Sequence, residues 1–319
     1  MKRRCRLTVP HQGSGMNLTE FLAGRFSYFR RREWEGEIKC GRILLNGRSA
    51  LSSDLLQSGD RITYTPSQLR EPPVDRDFDI LFEDEAILAV HKPANLPCHP
   101  GGRYFRHTLW AMLKERRPEA TPHFVHRLDR ETSGVVLIAK HAGDAARLGR
   151  QMAAGGFHKA YAALVEGRFP EAPLSADGVI APDQASVIRK KMRFFPLDSR
   201  KPPPAGAKPC CTRFERLQEG PAVSLISAAP ATGRGHQIRA TLLAMGYPVV
   251  GDKIYGVDET LFLRFIDDRL TGRDRSRLRM ERQALHAASL AFDHPRTGRR
   301  ISIEAPVPPV FGRCLAELP

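Results

Sequence analysis

The sequence contains few cysteines, and their spacing excludes the usual metal and disulfide patterns. No C-x-x-C pair occurs, and no cluster of histidine and cysteine has zinc-ligand spacing. Scattered thiols of this kind favour a reducing compartment, so we predict a cytoplasmic protein without a bound metal. The six cysteines are Cys5, Cys40, Cys98, Cys210, Cys211 and Cys314.

Long apolar runs are also missing. The longest apolar stretch, near residues 135–139, has the length of a strand rather than that of a membrane span. The basic N-terminus, residues 1–6, is not followed by the apolar region of a secretory signal. We therefore predict a soluble protein that does not associate with a membrane.

Acidic residues are in the minority. The chain has 50 lysines and arginines against 35 aspartates and glutamates, which gives a formal charge of +15 at pH 7. Such an excess steers a protein towards polyanions and supplies phosphate contacts, so it favours a nucleic-acid partner. A basic but otherwise ordinary cytosolic protein is the alternative. The length of 319 residues suggests about two folded domains.

Residues 1–70 have the pattern of a small α+β domain. Apolar side chains at helical spacing predict a helix within 16–26. Asn46-Gly47 is a typical hairpin turn, and we predict strand-like runs on both sides of it within 37–48. A further strand is predicted at 61–64.

Over residues 14–66 this domain resembles the S4-type RNA-binding module of ribosomal proteins and RNA-modifying enzymes. The resemblance implies that a basic cluster in the domain binds RNA. A proline-containing polar segment, residues 71–78, follows and is predicted to be a linker. The cluster consists of Arg30, Arg31 and Arg32.

Residues 79–319 are predicted to form a second α+β domain, built on a mixed, largely antiparallel sheet flanked by helices. A hairpin is expected within 80–91, and residues 135–139 have the pattern of a buried strand. We predict an exposed proline-rich loop at 197–209 and a charged surface helix within 259–282.

The most informative stretch is HRLDRETSG, residues 126–134, a polar loop that leads into the predicted strand. Taken alone, Asp129 is one carboxylate among cationic neighbours, and a structural ion pair explains it better than catalysis. The whole stretch, however, closely resembles the H-R-L-D-x-x-T-S-G motif of the RluA-type pseudouridine synthases. Further segments of that family occur in the expected order, namely HKPANLPCHP at 91–100, KAYAALVEG at 159–167, TGRGHQIR at 232–239, GYPVVGD at 246–252 and LHA at 285–287.

The resemblance, which covers about residues 79–307, implies the reaction and its main residues. Asp129 corresponds to the family's catalytic aspartate, and its carboxylate either attacks C1′ of the ribose or removes a sugar proton. Arg239 corresponds to the arginine that pairs with this aspartate. Tyr161 corresponds to the tyrosine that lies against the target base. The reaction changes no oxidation state, so no cofactor is expected.

Four further basic residues lie in the matching segments and are predicted to contact RNA. The target uridine has to leave its stack before an enzyme can reach its glycosidic bond, and cationic side chains would then hold the neighbouring phosphates. For each of the four, a structural role is the alternative. They are Arg127, Lys92, Arg234 and His236.

We predict a monomeric RNA pseudouridine synthase that acts on ribosomal or transfer RNA, and the S4 resemblance favours large-subunit ribosomal RNA. One alternative is a catalytically inactive RNA-binding or ribosome-assembly factor, but such a protein would not need Asp129, Tyr161 and Arg239 together. The other is a glycosidase that uses the same carboxylate. A glycosidase would release free uracil, whereas an isomerase releases nothing.

Overall fold

The computed structural model describes residues 4–26, 29–66, 71–197 and 203–317. The chain divides into two compact units, one from Met1–Pro72 with Gly101–Arg106 and the other from Pro73–Pro100 with His107–Pro319. Each unit has its own sheet and its own buried core. None of the described helices is both long and apolar enough to cross a membrane.

The first unit combines a four-stranded sheet, in the order β1-β4-β2-β3, with two helices. Leu18 and Leu22 of α1 and Trp34 and Ile38 of α2 are buried in one core, because residues four apart share a helix face. Asn17 caps α1 by accepting two backbone N–H groups of its first turn. The elements are β1 Cys5–Thr8, α1 Leu18–Arg25, α2 Arg31–Lys39, β2 Ile43–Leu45, β3 Arg48–Ser49 and β4 Arg61–Tyr64.

The hairpin turn predicted in this unit is present, but the strand before it is shorter than predicted. Asn46 and Gly47 have φ values of 50° and 88°, as a two-residue turn with both residues left-handed requires. Residues 37–39 were predicted within a strand-like run and instead end α2. The prediction was wrong there because the helical spacing of Trp34 and Ile38 outweighs the local preference for strand.

The second unit is built on an eleven-stranded mixed sheet, counted over the described residues. Its main path is β11-β10-β12-β13-β9-β14-β8-β6-β5, while β15 pairs with β14 and β7 with β8. The pairs are antiparallel except that of β14 with β8. The strands are β5 Asp79–Glu83, β6 Ile87–Lys92, β7 His123–Phe124, β8 Ser133–Ala139, β9 His158–Glu166, β10 Leu174–Pro182, β11 Met192–Pro196, β12 Lys208–Glu219, β13 Val223–Pro230, β14 Leu285–Asp293 and β15 Arg300–Glu304.

Helices flank this sheet, as the α+β prediction required. Leu148 of α4 is buried against the sheet with Ala145 and Met152 beside it, the three residues of its apolar face. The helices are α3 Leu109–Arg116, α4 Ala142–Ala153, α5 Gln237–Ala244, α6 Thr260–Ile266, α7 Gly272–Leu278 and α8 Pro309–Glu317.

Two sequence-based predictions in this unit need correction. Residues 208–209 of the predicted exposed loop already belong to β12, where their backbone pairs with β10; residues 198–202 lie outside the described part of the chain. The single helix expected within 259–282 is two short helices, α6 and α7, with Asp268 between them at a φ of 54°. A left-handed residue cannot continue a right-handed helix.

The parallel pair of β8 with β14 is possible because residue 134 is a glycine. Gly134 lies opposite Ala287 and has a φ of 113°. A Cβ atom at this position would lie 2.2 Å from the carbonyl oxygen of Ala287. Gly134, the last residue of the HRLDRETSG stretch, therefore allows β8 to lie this close to β14.

Candidate active site

Asp129 lies in the loop between β7 and β8, and buried contacts fix the backbone on both sides of it. Before it, the sulfur of Cys98 lies 3.4 Å from the backbone nitrogen of Leu128 and 3.5 Å from its carbonyl oxygen. After it, the carbonyl oxygen of Arg130 accepts the backbone N–H of Leu96 at 3.1 Å. The segment HKPANLPC thus holds the loop in one position.

Lys92 belongs to this support rather than to an RNA surface. Its side chain is fully buried, and its ammonium group donates to the carbonyl oxygens of Pro93 at 2.7 Å and Arg130 at 3.2 Å. Burial lowers the pKa of Lys92 to about 8. The prediction that Lys92 contacts RNA disagrees with this position, because an enclosed ammonium already bonded to two carbonyls cannot reach a phosphate.

The residues after Asp129 are tied to the opposite side of the site. The ammonium of Lys253 lies 2.9 Å from the Oε2 atom of Glu131. The side-chain amide of Gln283 donates to the hydroxyl of Thr132 at 2.5 Å. These contacts join the loop to the chain next to Asp252 and to the start of β14, so both ends of the loop are anchored.

Arg239 is shared by two carboxylates. Its Nη1 atom lies 2.7 Å from Oδ2 of Asp129, while its Nε and Nη2 atoms lie 2.5 and 2.8 Å from the two oxygens of Asp252. Asp252 also accepts the backbone N–H groups of Ile254 and Tyr255, each at 2.9 Å. Arg239 and Asp252 are buried, whereas 27% of the Asp129 side chain is exposed. The arrangement leaves Asp129 as the accessible end of a fixed network.

Neighbouring charges keep Asp129 ionised. Burial, the largest single effect, raises its pKa, but the charge and hydrogen bond of Arg239 together with the other neighbouring charges outweigh burial and lower the pKa to about 2. The pKa of Asp252 is lowered for the same reason, with backbone hydrogen bonds adding to the effect. Both carboxylates are therefore charged at neutral pH, with one guanidinium between them.

Asp252 was not among the predicted site residues. The segment GYPVVGD was recognised as part of the family resemblance, but a single aspartate after a glycine does not reveal its partner. Its carboxylate meets Arg239, which lies 13 residues earlier in the chain, only through the tertiary fold. The available signal in the sequence was that Asp129, Arg239 and Asp252 all lie in segments that match the family.

Tyr161 lies in β9, which pairs with β14 in the sheet. The charge of Asp129 acts on its phenol. Tyr161 pairs with Ala287, which in turn pairs with Gly134 of β8, just after the loop that contains Asp129. Burial, and next the charge of Asp129, raise the pKa of its phenol above the usual value. The phenol is therefore neutral at physiological pH. None of the described residues forms a hydrogen bond to its hydroxyl group.

His236 is the one predicted RNA contact whose side chain faces Asp129 directly. Its Nε2 atom lies 3.7 Å from Oδ1 of Asp129, and its Nδ1 atom lies 2.8 Å from the hydroxyl oxygen of Tyr255. Arg127 and Arg234 are exposed. Arg127 is close enough to Asp129 for its charge to lower that pKa, and Nε of Arg234 donates to a backbone carbonyl at 3.1 Å.

Lys190, between β10 and β11, is a basic residue that sequence reasoning missed. Its ammonium lies 4.2 Å from the centre of the Phe262 ring. Its pKa is lowered to about 8, first because neighbouring atoms displace water around the ammonium and then because Arg239 and Arg130 repel it. Much of the side chain is nevertheless exposed. The run Arg189-Lys190-Lys191 was a possible signal, but basic runs are usually solvated surface.

The arginine cluster of the first unit lies at the start of α2. Arg30 is the residue before the helix, and its backbone N–H donates to Glu33. Arg31 pairs with Glu20 at 3.3 Å and with Glu35 at 3.2 Å. Arg32 lines a surface groove of about 730 Å³ between α2 and residues 49–52.

The chemistry that this site offers is that of an ionised carboxylate next to a neutral phenol and an imidazole. Among the described residues, no group of three or more His, Cys, Asp or Glu side chains is placed to hold a metal ion. A carboxylate held by an arginine can attack an electrophilic carbon, remove a proton or stabilise a nearby positive charge.

The chain is similar to a known protein family, to several curated proteins and to solved structures. The model of the RNA pseudouridylate synthase family matches residues 86–244, which include Asp129, Tyr161 and Arg239. Ribosomal large subunit pseudouridine synthase D of Xanthomonas campestris is 32% identical, over 97% of this chain and 91% of that protein. The mitochondrial tRNA pseudouridine(32) synthase of Saccharomyces cerevisiae is 33% identical, over 76% of this chain and 50% of that protein. The structure of human RNA Pseudouridylate Synthase Domain Containing 1 matches with a TM-score of 0.59 and 26% identity, over 77% of this chain and 91% of the human chain.

The large mixed sheet with flanking helices and the matching family model define a pseudouridine synthase. The chain belongs to the RluA-type family of RNA pseudouridine synthases. It is therefore an isomerase that converts uridine to pseudouridine in RNA, and the predicted family, reaction and RNA substrate are confirmed. None of these comparisons supports the alternative of an inactive RNA-binding factor.

Arg239 is expected to be a major stabilising residue because it forms ion pairs with two carboxylates. Arg239→Met should lower the free energy of unfolding by about 3–5 kcal/mol, since it leaves the buried charge of Asp252 unpaired. Adding Asp252→Asn should restore part of this loss. Urea unfolding followed by circular dichroism measures both effects. Arg150→Met, at an exposed position on α4, is the control and should leave the unfolding midpoint unchanged; failure of the double variant to recover stability would contradict the shared-charge account.

Proposed function

We propose that this enzyme modifies large-subunit ribosomal RNA, with Asp129 as its catalytic carboxylate and its first unit as an RNA-binding module. The observation that carries the catalytic assignment is the 2.7 Å ion pair between Asp129 and Arg239, which holds the accessible carboxylate ionised and in one direction. The other residue roles follow from what surrounds this pair.

The two oxygens of Asp129 have different environments. Oδ2 is occupied by Arg239, whereas Oδ1 has His236 as a neighbour at 3.7 Å, beyond hydrogen-bond distance. Oδ1 is thus the oxygen that meets the ribose. It either bonds to C1′ as the C1′–N1 bond breaks or removes a sugar proton. In both routes the uracil then turns and C5 bonds to C1′; in the first route the bond between Oδ1 and C1′ breaks as this bond forms, and in the second route Asp129 returns the proton to the sugar. The proton lost from C5 is balanced by one gained at N1.

Tyr161 is proposed to hold the uracil ring during this turn. Its ring packs against two core clusters of the second unit, and its phenol is close enough to Asp129 for that charge to raise its pKa. Because its pKa is raised, the phenol is a poor base at neutral pH, so packing and hydrogen-bond donation suit it better than removal of the C5 proton.

Three cations near the site are proposed to hold the phosphates on either side of the flipped uridine. Arg127 and Arg234 are exposed, and Lys190 lies on the surface hairpin close to the catalytic charges. Phosphate contacts position a nucleic acid without reading its sequence. The choice of uridine then depends on RNA shape and on contacts outside the pocket.

The RNA class is inferred from the extent of the similarity. The relative named for the large ribosomal subunit matches 97% of this chain, whereas the relative named for tRNA matches 76%. A likeness that includes nearly the whole chain supports a shared way of choosing RNA. We also propose a monomer in the cytoplasm.

The first unit is proposed to be an S4-like module that binds RNA through the start of α2. Its two helices, its Asn46-Gly47 hairpin and its last strand β4 agree with the resemblance. The guanidinium groups of Arg30 and Arg32 form no ion pair with a carboxylate among the described residues, so both cations are available to phosphate. Arg31 is paired with two glutamates and is expected to contribute less.

Asp129→Asn is expected to abolish pseudouridine formation while RNA binding and folding are kept. The amide has nearly the same shape but lacks the charge needed for attack or proton removal. Single-turnover assays with purified protein and RNA measure the effect. Asp268→Asn, an exposed position, is the control and should behave as wild type. A near-normal rate in Asp129→Asn would show that another group carries the reaction.

Pseudouridine mapping of total RNA from cells with and without the gene tests the proposed substrate. We expect one or more sites in large-subunit ribosomal RNA to disappear when the gene is deleted, and to return with the wild-type gene but not with Asp129→Asn. Loss of sites in transfer RNA alone would refute the ribosomal assignment without affecting the enzymatic one.

The role of the first unit can be tested through the salt dependence of RNA binding. Arg30→Gln combined with Arg32→Gln should weaken binding and lower the slope of log affinity against log salt by about two at most, because two phosphate contacts are lost. The rate on saturated RNA should not change. Arg150→Gln with Arg313→Gln removes the same charge from exposed positions of α4 and α8 and should alter the slope less. Equal slopes for the two double variants would remove the support for this module.

A further inference from the structure

Tyr255 and His236 form a hydrogen-bonded pair next to the catalytic carboxylate. The hydroxyl oxygen of Tyr255 accepts the backbone N–H of Met192, the first residue of β11, at 2.7 Å. The same oxygen lies 2.8 Å from Nδ1 of His236. On its other side the imidazole presents Nε2 at 3.7 Å from Oδ1 of Asp129. Tyr255 is fully buried, so water does not compete for these contacts.

Counting hydrogens along this chain determines which nitrogen of His236 carries the proton. A backbone N–H can only donate, so the Tyr255 oxygen is an acceptor towards Met192. The phenol has one hydrogen of its own, and burial raises the pKa of Tyr255 so that this hydrogen is kept. Its hydrogen-bond partner is Nδ1 of His236. That nitrogen is therefore the acceptor, and the proton of the neutral imidazole lies on Nε2.

The other protonation states fit the contacts less well. A hydrogen on Nδ1 would leave the Tyr255 hydrogen without a partner and would turn the lone pair of Nε2 towards a carboxylate oxygen. A doubly protonated ring also leaves the Tyr255 hydrogen unused. Burial lowers the pKa of His236 to about 4, against the opposing effect of Asp129, so the ring is neutral at physiological pH.

The backbone at His236 has a conformation that few residues other than glycine adopt. His236 precedes α5 with φ at 58° and ψ at 17°, in the left-handed region. This conformation costs a histidine about 1 kcal/mol or more relative to glycine, and asparagine adopts it more readily. Strain of this kind is often found where a side chain has to point in one particular direction.

We propose that His236 is a positioning residue whose Nε2–H tautomer, set by Tyr255 and the backbone N–H of Met192, donates to Oδ1 of Asp129 and aims that oxygen at the ribose. This rests on the proposed catalytic role of Asp129. Hydrogen bonds in catalytic sites are often long in the absence of substrate and shorten in the complex. With Arg239 on Oδ2 and His236 on Oδ1, each oxygen of the carboxylate then has one donor.

The tautomer can be observed without measuring activity. Nitrogen NMR of protein labelled in its histidines distinguishes a protonated Nε2 from a protonated Nδ1, and the His236 signal is identified by its absence in His236→Gln. We expect Nε2–H alone in the wild type and a mixture of tautomers in Tyr255→Phe. A wild-type ring protonated on Nδ1, or on both nitrogens at neutral pH, would overturn the proposal even if Asp129 were catalytic.

Kinetics then tests whether the tautomer matters. Tyr255→Phe should lower the single-turnover rate about tenfold with RNA affinity unchanged, as expected for the loss of one well-placed hydrogen bond. Tyr247→Phe, in the core beside Phe169, is the matched control and should keep the wild-type rate. A wild-type rate in Tyr255→Phe would refute the positioning role.

Two substitutions of His236 itself keep the proposal testable if Tyr255→Phe fails to fold. The amide N–H of glutamine reaches about as far as Nε2, whereas that of asparagine does not. We therefore expect His236→Gln to retain a clearly higher rate than His236→Asn, although His236→Asn should unfold at a higher temperature because asparagine tolerates the left-handed backbone. Equal rates in the two variants would overturn the proposal. Failure of Asp129 as the catalytic group would appear separately, as activity in Asp129→Asn.

Discussion

The arrangement of the site depends on one guanidinium group that serves two carboxylates. Arg239 lies in α5, Asp129 in the loop before β8, and Asp252 in the turn after residues 249–251. That turn is tied to β9 because Val250 donates to the carbonyl of Leu164. Gly251 permits it, since a Cβ there would lie 2.1 Å from a backbone oxygen. A buried arginine of this kind is tolerated only if every one of these elements is in place.

The sequence was most informative where chemistry and local geometry coincide. Asp129, Tyr161 and Arg239 were predicted from motifs, and the structure brings Asp129 and Arg239 into contact. The Asn46-Gly47 turn was predicted because a left-handed backbone favours asparagine and glycine. The buried strand predicted at residues 135–139 was also found, as β8.

What could not be read from the sequence depends on contacts between distant segments. Lys92 looked like a surface cation because lysine is rarely buried, yet two backbone carbonyls enclose its ammonium. Asp252 and Tyr255 matter through Arg239 and His236, and no periodic pattern links those positions. Residues 37–39 were assigned to a strand because the turn after them was a stronger local signal than the helix that contains them.

The ratio of charges in the network has a chemical consequence. In the proposed mechanism the ribose becomes positive as its glycosidic bond breaks, and a simple aspartate–arginine pair would meet it with no net charge. With two carboxylates on one guanidinium the network carries a net charge of about −1, and the accessible part of that charge is on Asp129. A neutral His236 is consistent with this arrangement, since an imidazolium 3.7 Å away would cancel the negative charge that the transition state needs.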